Sequence, residues 1–438
     1  MVSPDQSHFA MLKHGGRTKA ASFLSDGCRL SAGALVGFML VWTIWSSLTP
    51  TPTPTPSLPA KTSSPAAPPS PDSPERNFYD DPKLSYALGS KPVRKWDEKR
   101  REWLRQHPSL AAGAEHRIFM VTGSQAAPCK NPIGDHLLLK LFKNKVDYCR
   151  RHGIDIFYNN VLLQPQMFSF WAKTAAVRAA MLAHPEAEWI WWVDSDAAFT
   201  DMDFAPPLHR YKDHNMVVHG WPLLLQERNT WTGINAGVFL IRNCQWALDF
   251  IDVWASMGPQ SPDYHKWGKT LSSVFKDKIF PESDDQSGLI YLYLKEKEKW
   301  GDKIYVEGEY YFEGYWLEIV GTLDNITASY SEIERKVGAL RRRHAEKLSE
   351  GYATLWEEHL KGAGYGKGSW RRPFITHFTG CQPCSGDHNQ MYSGESCFDS
   401  MNKALTFADN QVLRNYGFVH PDLHHPSTVN PLPFDYPA

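Results

Sequence analysis

Two aspartates one residue apart, Asp194 and Asp196, close the segment Glu188-Trp-Ile-Trp-Trp-Val-Asp-Ser-Asp-Ala197. The apolar run before them, Trp189–Val193, is too short for a helix and reads as a strand buried on both faces. Alternation along an extended chain aims both carboxylates to one side and Ser195 to the other. Two carboxylates converging on one point repel each other unless a cation lies between them. The expected chemistry is a divalent metal site at a strand end, where open α/β sheets collect their ligands. The plainer alternative is a surface turn after a core strand.

Other residues could complete such a site. Lys173 sits at the start of a helix predicted over 171–183, and a cation in a first turn opposes the helix dipole. It therefore calls for an anionic partner, such as Asp194, Asp196 or a bound phosphate. Asp284, Asp285 and Gln286 follow Glu282 and precede a helix predicted over 287–294. One carboxylate suffices as a cap, so this segment has acidic groups to spare. His377 lies on a late strand, Phe374–Gly380, and is the candidate third metal ligand. Thr122-Gly123-Ser124 ends a first strand with small residues that let a ligand approach the backbone. Asn235-Ala236-Gly237 is a tight stretch with no bulky side chain, suited to a sugar or to a β-bulge.

Positioning these residues requires a scaffold of alternating elements. A strand is predicted over 117–123, a helix over 134–151 and a strand over 154–158, the order of a parallel sheet with helical crossovers. Further strands are predicted over 216–221, 234–241 and 303–307. A helix over 244–257 places Ala247, Phe250, Ile251 and Trp254 on one core face. The charged stretch 332–362 is predicted as an exposed helix, and 400–416 as a final helix. The glycine-rich 362–368 follows no strand and reads as a loop rather than a phosphate cradle. The predicted class is α/β, with a mixed, mainly parallel sheet flanked by helices.

The N-terminal part is of another kind. Residues 31–49 carry no charge and approach bilayer-spanning length, and Lys13, Arg17, Lys19 and Arg29 precede them. The positive-inside rule puts that end in the cytosol. The expected organisation is a cytosolic tail (1–30), a transmembrane signal-anchor (31–49), a Pro-rich stem with a linker helix (50–115) and a lumenal domain (116–438). Six of the seven cysteines are then lumenal, enough for three disulfides in an oxidising compartment. Asn325-Ile-Thr327 is a glycosylation sequon. A net charge of −1 argues against nucleic-acid binding driven by bulk charge. The 17 tryptophans, 18 tyrosines and 22 phenylalanines suit sugar stacking or a large aromatic core.

Longer motifs carry a resemblance. Trp189–Phe204, Arg242-Asn-Cys-Gln-Trp246, Asp284-Asp-Gln286, His377-Phe-Thr-Gly-Cys-Gln-Pro-Cys384 and Phe407-Ala-Asp-Asn-Gln411 resemble plant glycosyltransferase family 34, from about Arg117 to the C terminus. The resemblance implies a GT-A (Rossmann-like) fold and retaining transfer from a UDP-sugar. It implies Mn²⁺ on Asp194, Asp196 and His377, and UDP at Thr122, Gly123, Ser124 and Ser195, with Lys173 near the diphosphate. Asn235, Ala236 and Gly237 would meet the sugar or acceptor. Asp284, Asp285 and Gln286 would lie beside the sugar, acting through a covalent adduct or by stabilising an oxocarbenium-like state. Cys129–Asp135, His219–Pro222, Cys384–His388 and Pro431–Tyr436 narrow the likeness to members that galactosylate mannan. These imply UDP-galactose as donor, the 6-hydroxyl of mannose in a β-1,4-mannan as acceptor, and the Golgi membrane as location. Mannan synthase or a second copy of the chain would be partners. Xyloglucan xylosyltransferases carry a lysine where Gln382 stands, so transfer from UDP-xylose is the alternative. A membrane-tethered carbohydrate-binding protein without catalysis is the alternative of another class.

Overall fold

The computed structural model describes residue 72 and residues 76–89, 91–130, 132–341, 349–388 and 392–433. The predicted tail, signal-anchor and most of the Pro-rich stem lie outside the described residues. Among those described, no helix is long and apolar enough to cross a membrane.

The linker predicted as helical forms α1 (Trp96–Gln106), anchored by the buried Trp96 and Trp103. The Trp96 indole N–H donates to Asn243 Oδ1 at 2.7 Å. The chain then runs through β1 (Ile118–Gly123), α2 (Pro132–His152), β2 (Asp155–Asn159), α3 (Ala172–Ala183), β3 (Trp189–Val193), β4 (Ala197–Phe199) and β5 (Met216–Gly220). It continues through α4 (Pro222–Gln226), β6 (Ile234–Arg242), α5 (Gln245–Ala255), α6 (Tyr264–Val274), α7 (Asp285–Lys295), β7 (Ile304–Glu307) and β8 (Gly314–Tyr315). Last come α8 (Leu323–Lys336), α9 (Ser349–Leu360), β9 (Ile375–His377), α10 (Gly394–Leu413), β10 (Phe418–Val419) and β11 (Asn430–Pro431).

Six strands form the central sheet in the order β2-β1-β3-β6-β5-β7. β6 is antiparallel to both its neighbours, and the other pairings are parallel, so the sheet is mixed and mainly parallel as expected. Every residue of β3 is buried. Its Ile190 and Trp192 pack with residues of α3, α5 and α7 in one core. Trp189, Trp191 and Val193 belong to a second core with Tyr148 of α2, Phe199 and Phe374. A strand covered on both faces has no polar side to show, hence the unbroken apolar run. The Tyr148 ring stacks on Phe199 at 3.9 Å and meets Trp191 edge-on at 5.8 Å.

His377 lies outside the central sheet. Its strand, β9, is the middle of a three-stranded sheet in the order β4-β9-β8, antiparallel to β4 and parallel to β8. β4 and β8 are too short to announce themselves by periodicity.

Two expectations are corrected. The stretch 332–362 is not one exposed helix. α8 ends at Lys336 and α9 begins at Ser349, with Leu340 packed between. Glu334, Trp356 and Leu360 are buried, and Glu334 pairs with Arg414 of the segment after α10. Among the described residues the cysteines form two disulfides, Cys129–Cys384 and Cys381–Cys397, where the sequence permits three. Cys149 and Cys244 remain thiols. They pack with cores on opposite faces of the sheet and cannot meet.

Alkylating the denatured, unreduced protein should label Cys149 and Cys244 and spare Cys129, Cys381, Cys384 and Cys397. Peptide mapping that recovers a Cys149–Cys244 cross-link would contradict this arrangement.

Candidate functional site

β3 delivers Asp194 at its carboxyl end, and a tight turn, with Ala197 N donating to Asp194 O at 3.2 Å, carries the chain through Asp196 into β4. β4 pairs with β9 so that Ala197 faces His377, and Phe378 N donates to Asp196 O at 3.1 Å. This register brings the predicted third ligand to the two aspartates. Donor atoms of Asp194, Asp196 and His377 all lie within 4.8 Å of one another. His377 Nε2 is 3.2 Å from Asp196 Oδ1 and 3.9 Å from Asp194 Oδ2. Two carboxylate oxygens and an imidazole nitrogen are a donor set that suits a divalent cation.

A β-bulge shapes the floor. The β5–β6 register jumps from Val218↔Phe239 to His219↔Asn235, so Ala236–Val238 bow out of the ladder. Gly237 O then accepts from Asp194 N at 2.8 Å. A Cβ at position 237 would lie 2.4 Å from His377 Cε1 and 2.9 Å from Asp194 Oδ2. Only glycine leaves room for both side chains, so the bulge expected at Asn235–Gly237 is present and lies against His377 and Asp194. Asn235 Oδ1 accepts from Gly237 N at 2.9 Å, and its amide reaches toward Thr379 and His377 at 3.3 and 3.5 Å.

Lys173 finds the anionic partners that its place in the helix demands. Its buried ammonium lies 2.8 Å from Asp285 Oδ2, 3.3 Å from Asp194 Oδ1 and 2.9 Å from the Ala236 carbonyl. Lys173 thus pairs with Asp194 and Asp285 and donates to the Ala236 carbonyl, joining Asp285 to the aspartate pair. Burial alone would lower Lys173, but Asp194 and Asp285 outweigh it and hold the ammonium charged. Burial pushes Asp285 up to about 6, against the pull of Lys173. Burial would also lower His377, yet Asp196 and Glu313 raise it well above its ordinary value. The carboxylates thus favour positive charge on the ring, and a divalent cation at the same three atoms would supply positive charge instead.

The acidic segment divides its labour. Asp284 caps α7, accepting from Ser287 N at 2.9 Å, and takes Trp231 Nε1 at 3.1 Å and Lys278 Nζ at 3.1 Å. The fold holds it through this cap and the Lys278 ion pair. Asp285 turns to Lys173. Gln286 donates to Trp231 O at 2.9 Å and accepts from Ala236 N at 3.4 Å, joining this segment to the bulge.

At the end of β1, Val121 lies opposite Trp192, so the Thr122–Ser124 turn runs beside the end of β3. Gly123 and Ser124 are half-buried, and Ser124 Oγ takes the Tyr158 hydroxyl at 2.8 Å. Thr122 is fully buried with no hydrogen-bond partner for its hydroxyl among the described residues. Its side chain is closed to solvent, which leaves the turn backbone and Ser124 as the accessible part of this edge. Ser195 is half-buried. Asn325 is exposed on the first turn of α8.

Three contributors went unread in the sequence. Lys145 of α2 donates from its buried ammonium to the carbonyls of Ser195 and Ala197 at 3.1 and 2.7 Å, which flank Asp196. Asn144 holds both backbone groups of Phe199 at 2.8 and 2.9 Å. Glu313, 2 % exposed, hydrogen-bonds His377 Nδ1. Each had a signal. Lys145 stands one helical turn after Leu141, on the apolar face. Glu313 is the lone charge within the aromatic run Tyr310–Trp316.

The family model of the galactosyl transferase GMA12/MNN10 family matches residues 114–388. The chain is 59% identical to "Putative glycosyltransferase 7" of Arabidopsis thaliana, over 100% of this chain and 99% of the relative. It is 60% identical to "Glycosyltransferase 6" of the same plant, over 97% and 98% of the two chains. It is 55% identical to "Galactomannan galactosyltransferase 1" of Cyamopsis tetragonoloba, over 98% and 100%. Among solved structures, a glycosyltransferase involved in the glycosylation of the major capsid of PBCV-1 aligns at 12% identity and a TM-score of 0.36, over 65% of this chain and 98% of that one. That likeness is too slight to carry weight. The family match and the near full-length relatives lead to one conclusion: the chain belongs to glycosyltransferase family 34, the galactosyl transferase GMA12/MNN10 family, and is a glycosyltransferase.

Proposed function

We propose that the protein is a retaining galactosyltransferase of the GT-A type. It would move galactose from UDP-galactose to the 6-hydroxyl of mannose in a β-1,4-mannan, making an α-1,6 branch. The observation that carries this reading is the convergence of Asp194, Asp196 and His377 at the carboxyl edge of the sheet, with the Asp285–Lys173 pair beside them. The choice of galactose and mannan draws on the galactomannan galactosyltransferase relative, and on Gln382 standing where xylosyltransferases carry a lysine.

Asp194, Asp196 and His377 would hold Mn²⁺. When bound, such an ion offsets the charge that gathers on the diphosphate as the anomeric C–O bond breaks. The protein's own groups divide the remaining work. Gly123 and Ser124 offer a small-residue edge for the uridine end. Asn235 and the bulge backbone border the sugar. Lys173 keeps Asp285 oriented and favours its ionised form. Asp285 then either attacks the anomeric carbon to form a galactosyl-enzyme or, with Gln286, stabilises positive charge on the ring while the mannose hydroxyl attacks from the leaving-group face. On the covalent route UDP leaves as the adduct forms, and the mannose oxygen then displaces the Asp285 carboxylate from the anomeric carbon. On either route the hydroxyl proton passes to the diphosphate.

The two disulfides suit an oxidising compartment. They support a type II Golgi protein with its catalytic domain in the lumen, working beside a mannan synthase or as a pair of chains. Asn325 is then a glycosylation site.

Detergent-solubilised full chain, given UDP-galactose or UDP-xylose with manno- or cello-oligosaccharides, should make product only from UDP-galactose and manno-oligosaccharides. A chelator should abolish the product and added Mn²⁺ restore it. Xylose on cello-oligosaccharides would overturn the donor and acceptor assignment, and binding without any transfer would favour the inactive, tethered protein. Asp285→Asn should lower turnover by about 100-fold or more, with the protein still folded. Near-normal turnover would remove Asp285 from both routes.

A further inference from the structure

We infer that Glu313 is a positioning residue that orients His377 for the cation. It fixes which ring nitrogen carries the proton, so that Nε2 presents a lone pair beside Asp194 and Asp196. The inference rests on the proposed cation site.

Three groups surround His377 Nδ1: the Glu313 carboxylate, Thr379 Oγ1 at 3.0 Å and the Asn235 amide at 3.5 Å. They make opposite demands. An amide N–H can only donate, which would require a bare Nδ1 and leave the proton on Nε2. A carboxylate can only accept, which places the proton on Nδ1 and frees Nε2. Asn235 has other engagements, its amide with Thr379 Oγ1 at 3.3 Å and its carbonyl with Gly237 N at 2.9 Å. Charge-assisted hydrogen bonds are about twice as strong as neutral ones, so the carboxylate prevails. A neutral Glu313 would donate to Nδ1 and return the proton to Nε2, facing the aspartates.

The second oxygen of Glu313 accepts from Val238 N at 3.2 Å, at the end of the bulge. One buried carboxylate therefore joins the segment before β8, the ring on β9 and the bulged β6. Burying a carboxylate costs several kcal/mol unless it is satisfied. Glu313 is satisfied by the groups that set the ring over Gly237. Its negative charge also adds to the attraction for a cation at Nε2.

The test is Mn²⁺ affinity of the full chain in detergent, read from the electron paramagnetic resonance of free Mn²⁺ with no sugar nucleotide present. Glu313→Gln and Glu313→Ala should each weaken Mn²⁺ binding by about 10- to 100-fold. At saturating Mn²⁺ the KM for the oligosaccharide acceptor should be unchanged. Thr379→Val should bind Mn²⁺ as the wild type does. Glu313→Gln keeps size and shape, and its melting temperature separates lost positioning from lost folding. A Glu313→Gln protein with wild-type Mn²⁺ affinity overturns the inference alone. So does a Thr379→Val loss as large as that of Glu313→Gln. A wild type that takes up no Mn²⁺ overturns the cation site and this inference with it.

Discussion

Four carboxylates crowd one corner of this molecule: Asp194, Asp196, Asp285 and Glu313. At a separation of roughly 4 Å and an effective dielectric of about 20, two of them repel by about 4 kcal/mol. The fold answers with buried cations. Lys173 lies between Asp194 and Asp285. His377 stands between Asp196 and Glu313. Lys145 supports the turn from beneath. Most of what surrounds the site, from the bulge to the short β4 and β9, follows from having to place these charges against one another.

That placement is a matter of register. Ala197 faces His377, and the β5–β6 ladder slips at His219, so the ligands and their floor arrive together. Two disulfides secure the segment beyond His377, one to the loop after β1 and one to the first turns of α10. Gly134 is part of the same closure: a Cβ there would lie 2.4 Å from the Pro383 carbonyl. The turn after β1 and the turn after β9, distant in sequence, are thereby held as one rim.

Much of this was legible in the sequence because burial writes itself as pattern. Trp189–Val193 announced a two-sided strand, and α2, α3 and α5 appeared within a few residues of their bounds. Asp194, Asp196, His377 and Lys173 were legible through residue type and position. The rest depended on tertiary neighbours. β4 and β8 are too short for periodicity, and the break in 332–362 reflects packing of Leu340 and Trp356 that charge content conceals. Asp284 and Asp285 are adjacent and chemically alike, yet one caps a helix and the other faces Lys173. Glu313 and Lys145 act on groups far along the chain.

The position of β9 has a consequence for biosynthesis. It inserts between β4 and β8, so the small sheet closes only once that late segment has been made. All six central strands precede it, and a growing chain can build that sheet while still lacking the imidazole. A product cut short before Phe374 would carry the aspartates and the lysines without the histidine or its disulfides. The three residues proposed to hold a cation are thus brought together only when the chain is nearly complete, and a well-packed central sheet is no sign that the protein can yet work.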